Sequence, residues 1–142
     1  MTHLLRRHAK AQRENLLLEQ VAHKSQALCE LLLESNVLSA HEHIALHYPV
    51  GNEVDLRPLA HALWQQDKKL YLPILDGQHL QFGAYTPDTA FINNKFNIPE
   101  PDTTAIAPKD LNAVIFPMVA FDEACHRIGM GGGFYDRTFT FT

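Results

Sequence analysis

Cysteine is nearly missing from the 142 residues: there are two, Cys29 and Cys125, far apart in the chain. No CxxC pair and no Cys/His spacing of the zinc-binding kinds occurs, so neither a disulfide framework nor a structural zinc site organises this fold. The two residues read as free thiols of a reducing compartment. A basic excess is also missing. Lys and Arg number 12 against 16 Asp and Glu, giving a net charge of −4 and a pI near 6.1. That balance argues against a nonspecific nucleic-acid binder, while leaving room for a local basic site. No apolar run reaches membrane-spanning length, and no basic-plus-apolar leader opens the chain, so a cytoplasmic protein is the expectation. Repeats and low-complexity tracts are absent. Glycine is scarce at seven residues, yet four of them fall within residues 129–133.

What is present suits one soluble domain. Hydrophobic residues make up 46% and charged residues 20%, and the length allows a single core. Residues 4–34 place Leu17, Val21, Leu28 and Leu32 at helical spacing with no Gly or Pro, which predicts one long helix. Its beginning carries Arg6, Arg7, Lys10 and Arg13. Such a run is commonly a solvated face, but positive charge at a helix N-terminus opposes the helix dipole, and that misfit favours a ligand role. "HIALHYPV" (43–50) reads as a strand stopped by Pro49 and Gly51. Asp55 then suits an N-cap and Pro58 the first turn of a second helix, with Leu59, Leu63 and Trp64 as its apolar stripe. "KLYLPIL" (69–75) and "HLQFGAY" (79–85) flank the turn dipeptide Asp76–Gly77 and read as an antiparallel pair.

Residues 86–110 hold Pro87, Pro99, Pro101 and Pro108. They predict a long surface connection with a short structured piece at 91–96. "NAVIFPMVAF" (112–121) predicts a buried strand and its exit, followed by the glycine loop and a helix beginning in "FYDRT". This alternation defines an α/β protein: a three-layer α/β/α domain with a mostly parallel central sheet.

The stretch "RIGMGGGFYDRT" carries the chemistry. Glycine permits positive φ and close approach of a ligand to the main chain, and successive N–H groups of such a loop make a nest for an anion. A strand, a glycine loop and a helix start come in the right order for holding phosphates. No Gly-Lys-Ser/Thr follows, so the loop is not a Walker P-loop. It also comes last in the chain, unlike the dinucleotide-binding GxGxxG that opens a Rossmann domain. A purely structural glycine turn is the plainer alternative. Arg127 just before the loop could pair with phosphate oxygens, and Asp136 just after it could hold Mg²⁺. Phe134 and Tyr135 could wall a flat ring or fill the core.

"FPMVAFDEACHRIGMGGGFYDRT" resembles the signature block of the 5-formyltetrahydrofolate cyclo-ligase family, with support from "NEVDLRPL", "YLPIL" and "NKFNIPEP". The resemblance runs from the first helix to residue 138. It implies a layered fold like that of the coenzyme A transferases. It further implies an enzyme that uses ATP and Mg²⁺ to convert 5-formyltetrahydrofolate to 5,10-methenyltetrahydrofolate, releasing ADP and phosphate. Carried over by position, Arg6, Arg127, Ile128, Gly129, Met130, Gly131, Gly132, Gly133, Phe134 and Tyr135 resemble the ATP site. Asp136 resembles the Mg²⁺ ligand, and Glu53 the acid that binds the folate. Arg127 and Tyr135 take the catalytic positions, Tyr135 touching both ligands. The implied partners are 5-formyltetrahydrofolate and ATP, with no nucleic acid and no membrane.

Two departures stand out. The family usually carries a lysine shortly before the arginine matched by Arg6; here that position is Thr2, and His3, Arg7 or Lys10 could substitute. After "YDR" the family continues with more helix and strand, whereas this chain closes on "TFTFT", whose alternation suits a strand. A truncated form is expected from this, with an unpaired sheet edge that would favour self-association. "HEHIALH" would put His41, His43 and His47 on one face of a strand, but it is not HExxH, and exposed or capping histidines are the better reading. Two alternatives stay open: a non-catalytic remnant of the enzyme, and a different α/β binder of sugar phosphates or coenzyme A.

Overall fold

Residues 2–140 are described by a computed structural model of the chain. The fold begins with α1 (Thr2–Glu14) and α2 (Leu18–Glu34), followed by β1 (His43–Ala45), α3 (Arg57–Gln65), β2 (Lys69–Asp76) and β3 (His79–Tyr85). A small hairpin follows, β4 (Phe91–Asn93) with β5 (Pro99–Pro101), then β6 (Ala105–Ile106), a 3₁₀ turn at Pro108–Asp110 and β7 (Ala113–Val114). The chain closes with β8 (Ala120–Phe121), β9 (Arg127–Ile128) and α4 (Phe134–Thr138).

The main sheet has the order β6-β3-β2-β1-β7. β1 runs parallel to both β2 and β7. β3 pairs antiparallel with β2, and β6 antiparallel with β3. The centre is therefore parallel, and the Asp76–Gly77 hairpin adds an antiparallel flank, the mixed arrangement common in α/β folds. Gly77 takes φ 62° at the turn, and Asp76 pairs with His79 across it.

Side chains alternate across a strand, so the sheet has two apolar faces. Ile44, Leu70 and Leu72 face one side and pack with Cys29 of α2 and Leu59, Ala60 and Leu63 of α3. Ala45, Tyr71, Leu80 and Phe82 face the other and pack with Phe134 and Tyr135 of α4 and with Phe139. Helices on both faces give the three layers. No helix is long and apolar enough to cross a membrane among the described residues.

Five expectations need correction. The predicted helix over 4–34 is two helices, because Asn52 Nδ2 donates to the carbonyls of Arg13 at 2.9 Å and Leu16 at 3.1 Å and so ends α1. The N–H of Leu17 then goes to Gln20 Oε1 at 2.8 Å, opening α2. The strand expected over 43–50 pairs as β1 only through Ala45, one residue short of the buried Leu46. Leu56, not Asp55, holds the cap position of α3; Asp55 instead accepts from the N–H and guanidinium of Arg57. The strand expected over 112–121 is two short strands, since β7 is a half-buried edge strand and Pro117 has no N–H to continue the ladder. At the end of the chain, Thr138 closes α4 instead of entering a strand; the last two residues of "TFTFT" lie outside the described residues.

Candidate active-site cleft

A cleft of about 490 Å³ opens where the loop after β1, the β4–β5 hairpin and the glycine loop converge. Arg6, Glu53, Arg127, Gly129, Met130, Gly131, Gly132, Gly133, Phe134, Tyr135 and Asp136 all line it. Of the residues that the resemblance carries over to the ligand sites, Ile128 alone is not on its wall. It pairs with Ala120 in the β8–β9 hairpin, and its carbonyl accepts from the Val119 N–H at 2.7 Å.

The glycine loop is shaped by two arginines. Arg6 Nε donates to the Gly129 carbonyl at 2.8 Å, and Arg137 Nη2 to the Gly132 carbonyl at 2.8 Å. A trans peptide points its N–H opposite to its C=O, so the next amides, those of Met130 and Gly133, face away from these arginines. Among the described residues, no backbone carbonyl accepts from the N–H groups of residues 129–133. Gly131 at φ 104° and Gly133 at φ 73° hold conformations that a side chain would strain. A Cβ on Gly133 would also stand 2.6 Å from Arg137 Nη1. Amides left free on a glycine loop are the kind of group that can accept an anion.

The side chains around it are fixed. The Arg127 guanidinium lies 4.4 Å over the Phe116 ring and binds Asp136 Oδ1 at 2.6 Å. Asp136 is largely exposed, so this pair is a pliable surface contact. Tyr135 stacks on Phe139 and meets Phe116 edge-on. Burial and then the Glu53 carboxylate push the Tyr135 hydroxyl's pKa far up, with Arg127 pulling the other way. Tyr135 thus stays a hydrogen-bond donor. Glu53 is 8% exposed, and its Oε1 accepts the Val50 N–H at 2.8 Å. Burial raises its pKa, while that bond and Arg13 lower it.

Sequence reasoning missed several wall residues. His47 is buried and neutral, its pKa lowered to about 4 chiefly by loss of water, and its Nδ1 is enclosed with no partner. Asn94, Phe96 and Glu100 enter from the β4–β5 hairpin. Arg137 braces the loop from behind through Gln78 and Gly132. The prolines of 86–110 signalled a turn-rich segment, but no local pattern said which of its faces meets the cleft. His41 and His43 take no part, and His43 Nδ1 instead meets the Tyr71 hydroxyl at 2.8 Å. Among the described residues no three His, Cys, Asp or Glu side chains are grouped to hold a metal ion.

Fold and cleft together define the class: a layered α/β domain with an arginine-braced glycine loop beside a buried carboxylate. Comparison with known proteins narrows the class. The 5-formyltetrahydrofolate cyclo-ligase family model matches residues 2–142, and the chain belongs to that family. The chain is 41% identical over 103 residues to the 5-formyltetrahydrofolate cyclo-ligase of Haemophilus influenzae, covering 68% of this chain and 55% of that protein. It is 39% identical over 119 residues to the Escherichia coli K12 5-formyltetrahydrofolate cyclo-ligase, covering 80% of this chain and 65% of that protein. The match thus spans somewhat over half the length of these curated relatives. The NMR structure of the Aquifex aeolicus 5,10-methenyltetrahydrofolate synthetase superposes with a TM-score of 0.84 at 29% identity, over 98% of this chain and 72% of that one. A Mycoplasma pneumoniae 5,10-methenyltetrahydrofolate synthetase shares the fold, with a TM-score of 0.79 at 20% identity, over 98% and 77%.

Proposed function

We propose that this chain carries out the ATP-dependent conversion of 5-formyltetrahydrofolate to 5,10-methenyltetrahydrofolate, with release of ADP and phosphate. The observation that supports it most is that one cleft unites the glycine loop, Arg6, Arg127 and a buried carboxylate. The backbone amides of the glycine loop, together with Arg127, bind the triphosphate, and Arg6 holds the loop through the Gly129 carbonyl while lining the same cleft. The formyl oxygen attacks the γ-phosphorus and ADP departs. N10 of the folate then attacks the activated carbon, the C–O bond breaks, and phosphate leaves with the N10 proton. Phosphorylation turns a poor leaving group into a good one, so the protein's work is positioning and charge stabilisation.

Glu53 anchors the folate, and the protonated Tyr135 hydroxyl donates toward the oxygen that becomes anionic. Arg127 offsets the charge that develops on the transferred phosphoryl group. Mg²⁺ would supply charge neutralisation at the β- and γ-phosphates, and the donor set fits an ion that arrives with the nucleotide. Asp136 offers one hard oxygen, Oδ2, while Oδ1 is held by Arg127, and Mg²⁺ commonly takes one or two carboxylates alongside phosphate oxygens and waters. No observation favours a non-catalytic remnant or a different phosphate binder over this reading.

The test is absorbance in the methenyltetrahydrofolate band with protein, 5-formyltetrahydrofolate and Mg²⁺, with and without ATP. An ATP-dependent rise that is lost in Gly133→Val is expected. No rise from a folded protein saturated with both ligands would contradict the proposal.

A further inference from the structure

The mechanism leaves two buried ionisable side chains of the cleft unused, His47 and Glu100, and it is the carboxylate of Glu100, on β5, that has acceptor capacity to offer a ligand. It is 9% exposed, and both of its hydrogen bonds fall on a single oxygen. Oε2 accepts the Leu75 N–H at 2.8 Å and Asn94 Nδ2 at 2.9 Å. β1 pairs only with Lys69, Leu70 and Tyr71 of β2, so Leu75 lies beyond its reach, and Glu100 takes up the Leu75 N–H instead. Asn94 is itself locked, because its Oδ1 accepts the N–H groups of Phe96 at 2.9 Å and Ile98 at 3.2 Å. The carboxylate is therefore held in one orientation before any ligand arrives.

Oε1 has no partner. It is not among the enclosed polar atoms lacking one, so it is open, and the residue lines the cleft. Among the described residues, no cation forms an ion pair with Glu100. Oε1 is thus the free acceptor of a carboxylate whose orientation is already fixed, and a ligand bearing N–H donors that enters the cleft can meet it with charge-assisted hydrogen bonds. The neighbouring walls, Pro73, Leu75, Phe96 and Ile98, are apolar and suit a flat heterocycle.

We propose that Glu100 is the recognition group for the 2-amino-4-oxopyrimidine edge of the reduced folate, its Oε1 accepting from the exocyclic amino group with the ring N3–H alongside. This rests on the folate reading of the cleft given above and adds to it which wall receives the pteridine. That edge offers two adjacent donors and no lone pair between them. The amino group of adenine, by contrast, is flanked by ring nitrogens whose lone pairs would oppose a carboxylate. The same wall therefore discriminates the pteridine from the nucleotide base.

The experiment measures binding, without nucleotide and hence without turnover, of 5-formyltetrahydrofolate and of its 2-desamino-2-methyl analogue, to the wild-type protein and to Glu100→Gln. Gln keeps an acceptor for the Leu75 N–H and removes the charge. The wild type should prefer the parent ligand by about 10- to 100-fold, the range expected for a hydrogen bond to a charged group. Glu100→Gln should lose about tenfold or more for the parent ligand, with little change for the analogue and none for ATP. Equal weakening of parent and analogue, no weakening of either, or weakening of ATP would overturn the assignment. Equal wild-type affinity for the two folates would overturn it even if the variant failed to fold. A wild type that binds no 5-formyltetrahydrofolate would overturn the functional reading itself, and this inference with it.

Discussion

Replacing Asn52 by alanine tests how the N-terminal helix is held over the glycine loop. α1 buries none of its residues, so apolar packing contributes little to its position. Its attachments are polar: Arg6 to the Gly129 carbonyl, Arg13 to Met118 and Met130, and Asn52 to the carbonyls that end the helix. The two amide hydrogens of Asn52 satisfy about two of those carbonyls at once. At a net of about 0.5–1.5 kcal/mol per bond, their loss costs roughly 1–3 kcal/mol of docking free energy, or about 5- to 150-fold in the docked population. Arg6 travels with α1, so ATP affinity falls together with docking. Two assays read this: amide hydrogen exchange within α1, and the KM for ATP. Exchange in α1 should accelerate by about that factor while the protection of β2 and β3 stays unchanged. If α1 keeps wild-type protection, or if all elements lose protection together, this reasoning about the helix is refuted.

The buried carboxylate of Glu53 should show the opposing demands of stability and function. Its pKa is raised on folding, so its contribution to stability is most favourable below the unfolded value and is lost as pH rises through the folded pKa. Glu53→Gln should melt higher than the wild type at pH 7 while folate binding weakens by about tenfold or more, since a hydrogen-bonded charge is lost; a lower Tm would contradict the assignment of cause. His47 carries the reverse sign for a base, its folded pKa lowered to about 4. The unfolded chain binds the extra proton between about pH 6.5 and 4, so stability is full above that window and falls through it by roughly 3 kcal/mol. Denaturant midpoints of His47→Phe should decline less steeply than wild type across that window, and parallel curves would refute it. Leu59→Ala, at a site with no exposure between α3 and the sheet, should lower stability by about 2–5 kcal/mol in denaturant titration.

Legibility of this protein in its sequence followed the range of the forces involved. The β2–β3 hairpin was readable because an Asp-Gly turn and strict alternation are local signals, and Asp76 does face His79. The glycine loop was readable for the same reason, since the conformational freedom of glycine leaves a mark in five consecutive residues. The end of α1 was not, because the side chain that terminates it, Asn52, stands 39 residues from one of its acceptors, Arg13. Pattern alone likewise gave no hint that Glu100 would reach back 25 residues to Leu75. Arg6 shows how the two levels connect. Basic charge at a helix start opposes the dipole locally, and the Gly129 carbonyl 123 residues away accounts for it. Ile128 shows the limit of positional carry-over, for its backbone is spent on pairing in the β8–β9 hairpin and it does not line the cleft.

The proposed reaction requires the triphosphate to lie on the glycine loop. The most direct test is the backbone amide NMR spectrum of the labelled protein as MgATP is added. The largest shifts should fall on Met130, Gly131, Gly132 and Gly133, with smaller ones at Arg6 and little change in the β4–β5 hairpin. Shifts centred on another part of the molecule, with the amides of residues 129–133 unmoved at saturation, would contradict it.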